Sequence, residues 1–315
     1  MPIKPVGRFS FLILFFFLAA LPGMAQASAP SQPISPLKVA LLHWYNADQA
    51  AKFTVGSQPY GVAFDGANIW TANGDGTVTK LRATDGAALG TFFVGGLPIG
   101  VTFDGANVWV SDSEGGTVTK LRASDGTVLG AFNVGGAPWW MAFDGANVWV
   151  PTGNVVTKLR ASDGKNLGNF TAGSDPIAAA FDGASVWVTN YASGTVTKLR
   201  ATDGTVQGTF TVGGGPLGIA FDGTNIWVAN RGGWTVSKLR ASDGTLLGTF
   251  TANAPYGVAF DGTNIWVSGD LFIYEFRDSD GAVLAKYNVH GTTGIAFDGA
   301  FLWIADTYTN GVAKF

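Results

Sequence analysis

From about residue 47 to the end of the chain, short runs rich in Val, Ile, Thr and aromatic residues alternate with Asp-Gly pairs at regular spacing. One period, read from Pro216, is PLGIAFDG, TNIWVAN, TVSKLRAS, DGTLLGTFTAN. Asp-Gly supplies the positive backbone dihedral that tight hairpin turns need, so each period predicts four antiparallel strands, named a to d. In strand b of this period, residues 225–229, the apolar positions run almost unbroken instead of alternating with polar ones. That pattern predicts a sheet covered on both faces.

The period itself is explicit. A Phe-Asp-Gly core starts at Phe64, Phe103, Phe143, Phe181, Phe221, Phe260 and Phe297, in steps of 39, 40, 38, 40, 39 and 37 residues. Six residues after each phenylalanine stands a tryptophan: Trp70, Trp109, Trp149, Trp187, Trp227, Trp266 and Trp303. A fixed period of this size marks a repeat architecture. Four-stranded sheets, each packed between like neighbours, are the blades of a β-propeller. Strand a is rich in Gly and Ala and belongs near the crowded axis, with the large Trp and Phe farther out. The expected fold is all-β, a seven-bladed β-propeller of four-stranded antiparallel blades.

The two ends of the chain predict how the ring closes. After Trp303 only residues 312–315 remain, and their Val-x-Lys-Phe matches the strand c segment Val78-x-Lys80-Leu81, so the last blade lacks its own strand d. At the other end Phe53-Thr54-Val55-Gly56 reproduces Phe210-Thr211-Val212-Gly213. The N-terminal strand is expected to join the C-terminal blade, leaving no open blade edge.

Composition adds the compartment. Residues 1–27 read as a secretory signal: Lys4 and Arg8, an apolar run over 11–21, then Ala25-Gln26-Ala27 as a cleavage site. That run is shorter than the roughly 20 residues a membrane-spanning helix needs. Residues 28–46 are a Ser/Pro-rich linker and a short apolar lead-in at 38–45, and residues 47–315 form the propeller. The expected location is periplasmic or secreted, as a monomer with no membrane span after cleavage. With no cysteine in the chain there is no disulfide scaffold and no thiol chemistry. Loss of Lys4 and Arg8 with the signal takes the formal charge from −3 to −5, which argues against nucleic acid as a partner.

Most charged groups belong to the repeat. The Asp of Phe-Asp-Gly and of the second turn, Asp85, Asp125, Asp163, Asp203, Asp243 and Asp280, make hairpins. Asp278-Ser279-Asp280-Gly281 begins like a cation loop but lacks the downstream Glu, so turn chemistry accounts for it. The bases of the KLR segments are expected to lay their stems along the blades with the charge at the rim. Arg82 and Asp85, and their equivalents, are expected to form local pairs of small value.

Strands that alternate direction place the d–a and b–c loops on one face and the a–b and c–d loops on the other. The second face is monotonous and the first is varied. On the varied face the residue after the loop proline is Tyr60, Ile99, Trp139, Ile177, Leu217 or Tyr256, with Thr293 in the last blade, each expected to rim the central channel. The b–c loops nearby carry Asp112, Glu114, Tyr191, Arg231, Trp234, Asp270, Asp306 and Tyr308. Aromatics with a few polar groups around a concave mouth suit a ligand. They suit equally a set of rings that plugs the channel. The candidate binding residues are Tyr60, Asp112, Trp139, Trp140, Tyr191, Arg231, Trp234, Tyr256 and Tyr308.

Catalytic signals are thin. The two histidines are His43, ahead of the propeller, and His290, in the last d–a loop, and neither has a metal-spaced partner. No nucleophile elbow, phosphate loop or HExxH occurs.

The repeat resembles the YVTN and NHL-type propeller repeats of bacterial exported proteins, with Trp187-Val188-Thr189-Asn190 at the signature position and PxGxAFDG at the preceding place in other periods, as at 216–223. The resemblance spans residues 47–315 and implies the fold; propellers host unrelated activities. The same superfamily includes streptogramin lyase-like and lactonase-like enzymes, whose WFTE-like repeat carries a glutamate that is Asn or a variant here, so none of their catalytic residues transfers. Two readings follow. The favoured one is an exported non-enzymatic propeller, with no cofactor, that binds a ligand or protein at the varied face. The alternative is a lyase or lactonase acting on a cyclic ester, with a divalent metal held by His290 and acids such as Glu114 or Asp306. A purely structural spacer is the third class.

Overall fold

The computed structural model describes residues 51–315. The signal-like segment, the linker, the 38–45 run and His43 lie outside the described residues. Within them the chain forms 28 strands in seven four-stranded sheets, with no helix among the described residues. Blade one is representative: strand a is Pro59–Phe64, b is Asn68–Asn73, c is Thr77–Arg82 and d is Ala88–Phe93, all paired antiparallel in order. The expected seven-bladed propeller is the observed fold.

Closure is as the chain ends predict. The strand Ala51–Thr54 pairs with Gly311–Lys314 in the register Phe53↔Val312, and completes the sheet that Thr292–Phe297 begins. The fourth strand of blade seven therefore comes from the start of the propeller. The ring is held by backbone hydrogen bonds between residues some 260 apart, and no blade is left with three strands.

The core lies between blades. In each interblade cluster the Trp of one blade meets strand b aliphatic residues of the next, as Trp70 meets Val108 and Val110 and Trp266 meets Leu302 and Ile304. Six of the seven repeat tryptophans have no exposed surface, and Trp266 is half-buried. A buried tryptophan contributes on the order of 2–3 kcal/mol. Its indole N–H also needs a partner, and the Asp of Phe-Asp-Gly supplies one. Asp65 accepts from Trp70 Nε1 at 2.7 Å through one oxygen, and from the turn N–H groups of Ala67 and Asn68 through the other. The same Asp–Trp bond recurs in every blade at 2.7–2.8 Å. The Phe-Asp-Gly motif is thus a turn and a tryptophan anchor at once.

The KLR segments depart from expectation. The Arg–Asp pairs form as predicted, Arg82 with Asp85 at 2.9 Å, and both partners are exposed. The lysines do not reach the rim. Lys80 is buried, its Nζ 5.2 Å above the Trp70 ring, and it donates to Ala123 O at 2.6 Å and Ser124 O at 3.1 Å in the next blade. Lys120, Lys158, Lys198, Lys238 and Lys314 make the equivalent link, the last from blade seven to Ala83 of blade one. The reason is geometric: the Trp face and two turn carbonyls together replace the ammonium's water.

Blade six breaks this pattern. Its strand c carries Glu275 where the other blades carry Lys, and its strand d carries Tyr287 where they carry Phe. In the other blades the lysine and the phenylalanine both dock on the next c–d turn; Phe92, for example, fills the space beside Gly126. Blade seven draws its strand d from the other chain end, so no c–d hairpin connects its last two strands. Tyr287 packs against the terminal Phe315 instead, and Asn264 Nδ2 donates to Glu275 Oε1 at 2.8 Å. The repeat changes its residues where ring closure removes their docking partner.

The candidate cation loop is a turn. Asp280 accepts from Ala282 N at 3.0 Å and pairs with Arg277 at 2.9 Å. Asp278 faces Asp222 of blade five, and both accept from Trp227 Nε1.

Candidate functional site

On the varied face the hydrogen-bonded ends of the strands hold two separate features. The first is the channel mouth. Strand a of blade three is cut to Ala142–Phe143, because Trp140 turns its backbone to blade four. Trp139 N donates to Pro151 O, whereas Trp140 N donates to Ile177 O and Trp140 O accepts from Ala179 N, both in blade four. The Trp140 ring then reaches the far side of the ring of blades and meets Tyr256 of blade six edge-on, with centroids 5.6 Å apart. Trp139 lies 5.7 Å from Trp140, and Ile177 and Leu217 are buried against them. These rings cap a cavity of about 170 Å³ lined by strand a residues such as Val62, Ile219, Gly257 and Ile295. The lining carries no ionisable group other than the Tyr256 phenol. The plug suggested by the sequence is present, and Trp140 rather than Trp139 spans the mouth.

The second feature is an open groove of about 710 Å³ between the loops of blades five, six and seven, lined by Trp234, Asn253, Ala254, Asp270, Leu271, His290 and Tyr308. Its two aromatics face solvent: Trp234 is 59% exposed and Tyr308 76%. Trp234 holds φ +54° in the left-handed region. Gly76, Gly116 and Gly194 occupy the same place, just before the first threonine of strand c in their blades, at φ +63° to +88°. An L-residue there costs roughly 1–2 kcal/mol. Tyr308 lies over Gly291, where an added Cβ would come within 2.0 Å of the ring.

One ion pair joins groove to mouth. Arg231 Nη2 bonds Asp270 Oδ2 at 2.9 Å, across the blade five–six boundary, and its guanidinium sits 4.8 Å from the Tyr256 ring centre. Burial pushes the Tyr256 phenol above its ordinary pKa, with the Arg231 charge working against the shift. Asp270, Arg231, Tyr256, Trp140 and Trp139 therefore form one continuous chain of contacts.

Other sequence candidates fall elsewhere. Asp112 is buried and turned inward: Gly96 N, Leu97 N and Gly115 N donate to its oxygens, so the carboxylate organises its own loop. Burial raises its pKa, but these N–H donors outweigh burial and hold it below the usual range. Asp306 is likewise buried, accepting from Tyr308 N and Thr309 N and pairing with Lys52 at 3.4 Å. Glu114 lies over Gly96 in blade two, Tyr191 packs beside Gly215, and Tyr60 lies beside Gly74. Among the described residues no three His, Asp or Glu side chains gather as a metal-ligand group, so His290, Glu114 and Asp306 are not brought together. Asn253, Ala254 and Leu271 are groove residues that sequence reasoning missed. Nothing in their local sequence signals a shared site, because they meet only across blades.

No family model and no curated protein matches the sequence. Among solved structures the chain is similar to a chain of Kuenenia stuttgartiensis hydrazine synthase, with a TM-score of 0.74 and 16% identity over 84% of this chain and 96% of that one. At that identity the likeness is one of fold and agrees with the β-propeller assignment.

Proposed function

We propose that this protein is an exported, non-enzymatic β-propeller that binds a ligand or protein on its varied face. The observation that carries the reading is Trp234. It is a large, exposed ring held in a left-handed backbone conformation that three sister repeats give to glycine and blade seven gives to Asn310. Strain without a packing return is a feature of binding sites. The groove beside it adds Tyr308, Asp270 and His290 from two further blades. Export rests on the signal-like N-terminus, and kinship with YVTN and NHL-type propellers rests on the repeat motif.

The test compares the native protein with a variant in which Trp139, Tyr191, Arg231, Trp234 and Tyr308 are all alanine. Each is incubated with an exported-fraction extract and the enriched small molecules and proteins are identified by mass spectrometry. Enrichment that the variant loses supports the reading; identical enrichment by both overturns it. The lyase or lactonase reading is checked alongside: cyclic-ester turnover that stops on His290→Ala would replace the binding role. Sequencing the mature N-terminus, expected at Ser28, checks export.

A further inference from the structure

The groove between blades five, six and seven has a chemical character that narrows its ligand. We infer that it binds a neutral oligosaccharide, with sugar rings laid on the exposed faces of Trp234 and Tyr308. The inference rests on the varied face being the binding face. Two solvent-facing aromatic rings on different blades flank the opening. Flat rings accept the apolar C–H face of a pyranose, burying area at low side-chain entropy cost.

Charge decides against other small ligands. Aromatic rings with a free carboxylate would suit a quaternary ammonium. Asp270, however, is already paired with Arg231 at 2.9 Å, so the wall presents no net charge to a cation or to an anion. What the pair does present is the Asp270 acceptor on the groove wall, with the planar Arg231 donor bonded beside it and held over the Tyr256 ring. That arrangement suits neighbouring hydroxyls, and Asn253 and His290 add further polar atoms.

Backbone pairing decides against an extended peptide. Binding by strand addition needs free N–H and C=O groups along an edge. In the groove walls Val289 N already donates to Leu271 O, Gly291 N to Asp270 O, and Thr307 N to Gly291 O. Recognition therefore falls to side chains, with Trp234 and Tyr308 as its platforms.

The experiment titrates the native protein with cellotriose and with maltotriose, reading intrinsic tryptophan emission and heat of binding. At least one is expected to bind and shift the emission. Trp234→Gly is expected to weaken that binding about tenfold or more, the scale of one aromatic contact. Its melting temperature should hold, because glycine is native to this position in sister repeats. Tyr308→Ala should weaken binding similarly, whereas Ile99→Val at the channel mouth should not. Failure of both sugars to bind, or unchanged affinity in Trp234→Gly, overturns the carbohydrate assignment. If enrichment in the five-residue variant is still lost, the binding-face reading survives that failure; if enrichment too is unchanged, both fall.

Discussion

Lys120 of blade two donates to Ala161 O of blade three at 2.6 Å, while its ammonium stands 5.0 Å from the centre of the Trp109 ring. Six blades repeat this arrangement, so a series of charged links runs around a ring whose interfaces are otherwise apolar. A buried ammonium is tolerated because it has an aromatic face on one side and two turn carbonyls on another, with the Asp278 carboxylate in place of the second carbonyl at Lys238.

Replacing Lys120 by Met keeps the stem and removes the charge. The Ala161 and Ser162 carbonyls then lose a donor that strand pairing does not replace. We expect a loss of about 2 kcal/mol in urea unfolding, from a charge-assisted bond and the ring contact together. Arg122→Met, which breaks only an exposed pair, should leave the urea midpoint nearly unchanged.

The two kinds of turn glycine should respond differently to alanine. Gly145 and Gly126 both have positive φ, +95° and +77°. Nothing lies within 4 Å of a Cβ built on Gly145, whereas one on Gly126 would meet the Phe92 ring at 2.0 Å. Gly145→Ala should cost roughly 1–2 kcal/mol for backbone strain alone. Gly126→Ala adds displacement of the Phe92 ring, at about 1–3 kcal/mol more. Equal melting temperatures for the two variants would contradict the packing described between blades one and two.

Closure can be tested by a point substitution as well as by a deletion. The Phe53 ring lies 5.5 Å from Trp303, tilted by 31°, and fills the space beside Gly86, so it locks the borrowed strand to blades seven and one. Phe53→Ala is expected to lower stability by about 3 kcal/mol, near the lower limit for a phenylalanine that is only half-buried. Deleting residues 51–54 should lower the melting temperature markedly. An unchanged melt in both variants would rule out the ring closure seen in the sheet pairing.

The Asp222–Asp278 pair gives stability a pH dependence of its own. Burial, together with the hydrogen bond to Asp222 and the charge on Asp222, raises the Asp278 pKa, and Lys238 only partly offsets them. At Asp278 the folded protein thus holds a proton that the unfolded chain releases, so the Asp278 contribution is full below the ordinary carboxylate pKa and is lost as pH rises through the folded value. Asp222, held below the usual range, contributes in the opposite sense. Asp278→Asn imitates the protonated acid and should raise the melting temperature at pH 7, with the gain shrinking as pH falls into the carboxylate range. A gain that grows on acidification would reverse the assignment.

The chain's own periodicity determined the architecture. Phe-Asp-Gly every 37 to 40 residues dictated turns, strand count and blade number, and Phe53-Thr54-Val55-Gly56 revealed the closing strand, because turn chemistry and face coverage are local and repeat. Even the varied face was legible as the place where repeats differ. The partners of individual groups were not. That Lys80 would turn inward to a carbonyl 43 residues away depends on how far one blade stands from the next. That Asp112 and Asp306 would serve their own loops while Asp270 paired with Arg231 depends on loop geometry. Trp139 and Trp140 look alike in sequence, yet only Trp140 crosses the mouth to Tyr256. The groove exists only where loops of three blades meet, and the distances between blades, set by the tryptophans packed between them, decided which side chains share it.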